Sequence, residues 1–295
     1  ANQGWKDSRD SIQFRDGTLA SPPVALCEAQ GYAVAAARRG AAILDAFGRA
    51  GADRWRAWAG ALTDRFRARF WIREPADGGV PYPAIALDGR GRAVDTVTSN
   101  IGHLLGTGLL DDAETAAVVA RLGSAELDSG HGLRTMGSSS AGFNPLSYHG
   151  GSVWAHDTAI VIAGLARVGT PDAHRVVASL ARGLVDAAES FGYQTPELFS
   201  GETATSRSGA VPYPASCHPQ AWSAAAAVVL VAAATGIRPD VPGGTIGVAP
   251  LRPSPFGAIT VRGIRIGDAD VHVEVGRDGT VDVGGALAGL RVVPG

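Results

Sequence analysis

The segment "GADRWRAWAGALTDRFRARFWI" sets Trp55, Trp58, Leu62, Phe66 and Phe70 at three- and four-residue intervals. That spacing puts all five on one stripe of an α-helix, and a helix with such a stripe must bury it against another element. The same period recurs along most of the chain. Upstream, Val24 to Phe47 is Ala-rich, follows Pro22 and Pro23 and stops at Gly48, which predicts a helix running antiparallel to the Trp-rich one. Downstream, "TSNIGHLLGTGLL", "DDAETAAVVARL", "VWAHDTAIVIAGLARVG", "PDAHRVVASLARGLVDAAESFG" and "QAWSAAAAVVLVAAATG" bring the predicted helices to seven. Hairpins of roughly 40 to 50 residues repeat weakly, the pattern of stacked helix pairs or of a toroid built from them.

Beyond "PDVPGG" the period changes to two. From Ile246 onward apolar and polar residues alternate between Gly and Asp turns, which predicts a short antiparallel β segment. The expected architecture is therefore mainly α: part of a toroid of helical hairpins over residues 1–240, with a β-strand segment over 241–295 packing on it. An odd number of helices suits part of a ring, and the chain opens without an initiator Met or a signal peptide, as a fragment or processed product would.

Charge narrows the function. With 26 Lys and Arg against 28 Asp and Glu, and no long basic run, neither nucleic acid nor an anionic membrane is the expected partner. The apolar runs fall short of the roughly 20 residues that span a bilayer. Two cysteines, Cys27 and Cys217, imply no disulfide framework; both are read as buried thiols, and a reducing, cytoplasmic setting fits them. Despite 40 glycines there is no phosphate-binding loop after a strand, nor a GxSxG elbow, so no nucleotide or other cofactor is expected.

The irregular stretches carry the chemistry. "NQGWKDSRD", "GLRTM", "NPLSYHGGSVWAHD" and "TPELFSGETATSRSGAVPYP" mix aromatic rings with carboxylates, imidazoles and amides. Flat rings stack on the C–H face of a pyranose and carboxylates pair with its hydroxyls, so a neutral sugar is the expected ligand. His149, His156 and Asp157 match no metal-binding spacing, and no metal is expected. Read by itself, Asp7 is turn or helix-cap chemistry and Asp157 a first-turn helix acid.

Seven motifs in order, "NQGWKDSRDS", "PPVALCEAQGYAVAA", "TSNIGHLLGTGLL", "SGHGLRTMG", "NPLSYHGGSVWAHD", "PELFSG" and "CHPQAWSAAA", resemble the catalytic domain of the bacterial amylo-α-1,6-glucosidase-like, glycogen-debranching-type proteins, which are six-hairpin (α/α)6 glycosidases. The resemblance runs from Asn2 to about residue 240. It implies inverting hydrolysis of α-glucosidic linkages, with α-1,6 branches or related gluco-oligosaccharides as substrate. Another glycoside, mannosyl or trehalose-like, is the alternative, and a non-catalytic carbohydrate-binding piece is a third. Members of the family carry a β domain and the first toroid helices before the "GWKDS" segment, so an upstream segment of the same protein is an expected partner.

The resemblance also implies roles. Asp7, two residues after Trp5 in a W-x-D element, is the expected general acid, with Asp10 and then Asp16 as rivals; Glu197 is the expected base, with Glu202 behind it. His149, Trp154, His156 and Asp157 would form the floor of the sugar subsite. Trp5, Lys6, Asp10 and Tyr148 join them as substrate contacts, and Glu28, Gln30 and Arg134 are further hydroxyl contacts. Lys6 should point away from Asp7, since a nearby ammonium would lower the pKa that a general acid needs raised. Trp222 is expected in the core of its helix, Tyr213 beside the sugar, and His103 and His218 in structural or edge positions.

Overall fold

The computed structural model describes residues 4–205 and 209–295; residues 1–3, which begin the first motif, and 206–208 of the second irregular stretch lie outside the described residues. Among the described residues six α-helices follow in order: α1 (Cys27–Ala46), α2 (Ala52–Arg69), α3 (Asp112–Leu122), α4 (Ala155–Val168), α5 (Pro171–Glu189) and α6 (Ala221–Thr235). The expected helix over "TSNIGHLLGTGLL" is only a 3-10 turn, Ser99–Leu104, because Gly106 and Gly108 adopt positive φ and stop it.

Local signals set the boundaries. α3 opens on a capping box: the Asp111 carboxylate accepts from the Glu114 amide at 2.9 Å while the Glu114 carboxylate accepts from the Asp111 amide at 2.8 Å. α5 opens on Pro171 behind a Thr170 cap, and α4 stops at Gly169, φ 71°. On α2 the buried stripe runs through Ala52, Ala59, Leu62, Thr63 and Phe66. Trp55 and Trp58, expected on it, sit at its margin, 42% and 40% exposed, and pack edge to face against each other.

Helix α4 is the centre of the array. It contacts α5, α6 and the 3-10 turn, and α1 with its partner α2 packs on the turn's other side. Small residues allow that approach: a Cβ on Gly102 would lie 2.5 Å from the Val161 side chain, and one on Gly164 would lie 2.8 Å from that of Leu105. The largest apolar cluster joins the turn, α3, α4, α5 and α6 through Ile101, Val119, Ile162, Leu165, Leu180 and Leu230. Helix α6 has no charged residue, yet Val228 is 70% exposed and Val231 40%. Phe47, at the end of α1, is 75% exposed. Among the described residues no helix is long and apolar enough to cross a membrane.

The β structure is larger and less uniform than a short antiparallel tail. Three strands, Ile259–Ile266, Ala269–Val275 and Val281–Ala286, form an antiparallel sheet. A second sheet has Ile237–Asp240 antiparallel to Thr245–Val248, but Arg291–Pro294 joins Thr245–Val248 in parallel, a correction to the all-antiparallel expectation. The chain must return from the first sheet to the far edge of the second, and that crossover fixes the direction. Ile246, Val248, Ile266, Val271, Val273 and Val275 close a core between the sheets, while Leu251 enters the helical core. Two-residue ladders elsewhere clamp loops. The one that matters for the site pairs Val153 with Phe199 and Trp154 with Leu198.

Leu165→Ala removes a fully buried side chain from the shared core and is expected to cost about 2–5 kcal/mol in denaturant unfolding, whereas Val228→Ala on the open face of α6 should stay within about 0.5 kcal/mol.

Candidate active site

The Val153–Trp154 and Leu198–Phe199 ladder brings the "YHGGSVW" loop beside the "PELFSG" loop, and the arm carrying Trp5 to Ser11 packs on the first of them. Trp5 is the hinge of the cluster. Its ring stacks on His103 (centroids 6.0 Å, 5° between planes) and meets His149, Trp154 and His156 edge-on at 5.4, 5.8 and 5.4 Å.

Two tiers result. On the accessible side lie Asp7 and Asp10, both exposed, with Trp5, Tyr148, His156 and Tyr213 partly exposed, and Trp222 46% exposed. Asp7 opens onto a recess of 330 Å³ that it lines with Ser8, Arg9, Ser11, Ile12, Ala20, Pro22 and Val24. Trp222 is not core: it stacks on His156 at 4.3 Å, because an Ala-rich helix at the edge of the array has no neighbour to cover it. Cys217 is likewise exposed rather than buried. Asp16, the third candidate acid, and Glu202, the runner-up base, are exposed, and His218 is an exposed neighbour of Phe191.

Beneath them lie Lys6, Glu28, His103, Arg134, His149, Trp154 and Asp157, each 3% exposed or less. Most of their hydrogen bonds are made within the protein. Arg134 donates to the carbonyls of Ala125, Asp128 and Gly201 at 2.8, 3.1 and 2.6 Å and to the Thr203 hydroxyl at 2.8 Å, so it knits the loops together instead of facing a sugar. The Trp154 indole donates to the Tyr148 carbonyl at 2.7 Å. Glu28 accepts from Asn100 at 3.0 Å, and Gln30 donates back to the Leu26 carbonyl at 3.1 Å within its own helix start.

His103, expected in a structural or edge position, is buried at the centre of the lower tier. Its Nε2 lies 2.6 Å from Asp157 Oδ1, and its Nδ1 shares a hydrogen with the Tyr32 hydroxyl. Asp157 is fully buried at the start of α4; the bond from His103 and the charges of His103 and Lys6 outweigh its desolvation and hold the carboxyl below its ordinary value. Asp157 Oδ2, Asn100 Oδ1 and Trp5 Nε1 have no hydrogen-bond partner among the described residues.

Glu197, 7% exposed, accepts from the Tyr148 hydroxyl at 3.0 Å on one oxygen and from the Cys217 amide at 3.4 Å on the other. Burial raises the Tyr148 phenol, and the bond to Glu197, the Glu197 charge and the Asp7 charge raise it further. One hydroxyl therefore sits in the field of both proposed carboxylates. Lys6 points inward: its ammonium donates to the Thr135 carbonyl and lies 5.2 Å over the Trp5 ring. Burial lowers its pKa to about 8 against the opposing pull of Asp157 and Glu28. Among the described residues no group of three His, Cys, Asp or Glu side chains is placed to hold a metal ion.

A profile of the mannosylglycerate hydrolase MGH1-like glycoside hydrolase domain matches residues 5–223. Similar folds occur in a sialidase (TM-score 0.70, 12% identity, 95% of this chain against 26% of that one). They occur also in the GH63 mannosylglycerate hydrolase of Thermus thermophilus in complex with glucose (0.53, 18%, 70% against 48%) and in neutral trehalase Nth1 of Saccharomyces cerevisiae (0.54, 14%, 71% against 38%). The chain thus spans less than half of each of these proteins, and at such identities the likeness is one of fold. No curated protein sequence matches significantly.

His149 supplies a test of the buried tier. Burial, then the charge of Lys6, lowers its pKa to about 4, below the roughly 6.5 of an unfolded histidine. The unfolded chain therefore takes up the proton first, so this contribution to stability is intact above about pH 6.5 and is lost as pH falls toward 4. Thermal melts across that window should show a decline that His149→Gln flattens; an equal slope in both proteins would contradict it.

Proposed function

The chain belongs to the mannosylglycerate hydrolase MGH1-like glycoside hydrolase family, and from that premise we propose that it is the catalytic portion of an inverting α-glycosidase acting on a small mannosyl or trehalose-like glycoside. The motifs also resemble debranching proteins, but the matched family and two neighbours of similar fold, a mannosylglycerate hydrolase and a trehalase, favour the smaller glycoside over an α-1,6 branch.

The observation that carries the reading is the hydroxyl of Tyr148, bonded to Glu197 and in the field of Asp7. Inversion needs one carboxylic acid to protonate the leaving oxygen and one carboxylate to take a proton from water on the opposite face, with the two groups about 6.5–9.5 Å apart. Asp7, exposed beside its recess, takes the acid's part. Glu197 takes the base's part: Tyr148 and the Cys217 amide orient its two oxygens, and each oxygen keeps a lone pair for water. After one turnover Asp7 has lost a proton and Glu197 has gained one, and exchange with solvent restores both. Trp5, Tyr148, His156, Tyr213 and Trp222 supply the rings along which a pyranose stacks, and the tier below holds those rings in place.

In the full-length protein, Asp7→Asn and Glu197→Gln are each expected to lower kcat by about 10²–10⁴-fold. Mannosylglycerate, trehalose and an α-1,6-branched dextrin, assayed side by side with the parent protein, should show turnover of a small glycoside and little of the dextrin. Wild-type rates in either variant sink the residue assignment, and dextrin as the best substrate sinks the substrate class.

A further inference from the structure

We propose that Lys6 is a positioning residue: its buried ammonium ties the arm bearing Asp7 to the loop that holds Glu197, and so sets the spacing of the two carboxylates. This rests on the reading of Asp7 as acid and Glu197 as base.

The arm is pinned on both sides of Asp7. Trp5 is packed among His103, His149, Trp154 and His156. The Ser8 hydroxyl lies 2.9 Å from His149 Nδ1, and the Ser11 hydroxyl donates to the carbonyls of Lys6 and Ser8 at 2.7 and 2.8 Å. Between these fixed points Asp7 faces outward. Lys6, one position away and 1% exposed, is unsuited to a sugar contact and is placed as an anchor.

What Lys6 anchors to gives the link its meaning. Its ammonium donates to the carbonyl of Thr135, whose own hydroxyl donates to the Ser152 carbonyl at 3.0 Å. The Ser152 hydroxyl donates to the Tyr148 carbonyl at 2.8 Å, and the Tyr148 hydroxyl donates to Glu197 at 3.0 Å. Four hydrogen bonds, joined through the covalent frames of Thr135, Ser152 and Tyr148, thus connect the residue beside Asp7 to Glu197. Separation decides whether two carboxylates accommodate a water between them, and a small misplacement of reacting groups is costly in rate. Burying a cation is costly, and carboxylates from two helices offset part of that cost: Glu28 on α1 and Asp157 on α4.

The test separates positioning from general support by leaving-group dependence. A glycosyl fluoride departs without a proton donor, so a loss confined to acid catalysis disappears on it. In the full-length protein, Lys6→Met and the milder Ser8→Ala should lower kcat on the natural glycoside, about 10²-fold for Lys6→Met, and leave turnover of α-glucosyl or α-mannosyl fluoride within a few-fold of the parent, as Asp7→Asn should. Hydrogen–deuterium exchange should quicken in residues 4–11 and stay unchanged in the α4–α5 core. Equal losses on both substrates in Lys6→Met and Ser8→Ala, a KM effect without a kcat effect, or unaltered exchange in the arm would overturn the proposal while leaving Asp7 in its role. An Asp7→Asn protein with normal kcat on the glycoside would instead remove the reading on which it rests.

Discussion

The site depends on a very short piece of sheet. Val153 and Trp154 pair with Phe199 and Leu198, and that ladder fixes two long irregular loops against one another. Trp154 then packs its ring under Tyr148 and donates its indole hydrogen to the Tyr148 carbonyl, while Leu198 delivers Glu197 to the Tyr148 hydroxyl. Helix α4 begins at the next residue, so the loop is continuous with the most central helix of the array. Loops placed by a rigid scaffold are where binding and catalysis concentrate, and here the join between scaffold and loop is two residues long.

Below the accessible rings lies a polar layer with almost no contact with water. Lys6, Glu28, Asp157 and His103 come from the arm, α1, α4 and the 3-10 turn, and each is 3% exposed or less. Such a layer adds little to stability compared with apolar packing, because desolvation offsets most of the attraction between its charges. Its contribution is geometric: removing one partner strands the others, so the elements that carry them stay in a single arrangement. The close approach of Gly102 to Val161 places His103 beside Asp157, and His103 in turn offers Trp5 a flat surface.

Six of the seven expected helices were legible because the 3.6-residue apolar period outlasts differences of tertiary context, and Pro22, Pro23 and Gly48 bracketed the first of them. The cluster of Trp5, Tyr148, His149, Trp154 and Glu197 was legible through motif resemblance, not through physics. Burial was not legible, since neighbours that the sequence does not name decide it. Trp222 stands in an apolar run yet lies open, and Trp55 and Trp58 carry a helical period yet sit at the margin of their stripe. His103 lies within the "TSNIGHLLGTGLL" motif, but nothing in that motif names its partner, since Asp157 is 54 positions away; an acid in the first turn of an apolar helix has an ordinary reading as a dipole partner. The resemblance to debranching proteins identified the six-hairpin glycosidase class but not the branch of it that the chain matches, which is the mannosylglycerate hydrolase type.

Two carboxylates spaced for a water between them invert the anomeric centre, and two spaced closely retain it. Proton NMR of the first sugar released when the full-length protein is given an α-glycoside distinguishes these before mutarotation blurs them. The β anomer is expected as first product, equilibrating later to the mixture. The α anomer as first product would show a double displacement and contradict the assignment of Asp7 and Glu197 as an acid and base acting on opposite faces.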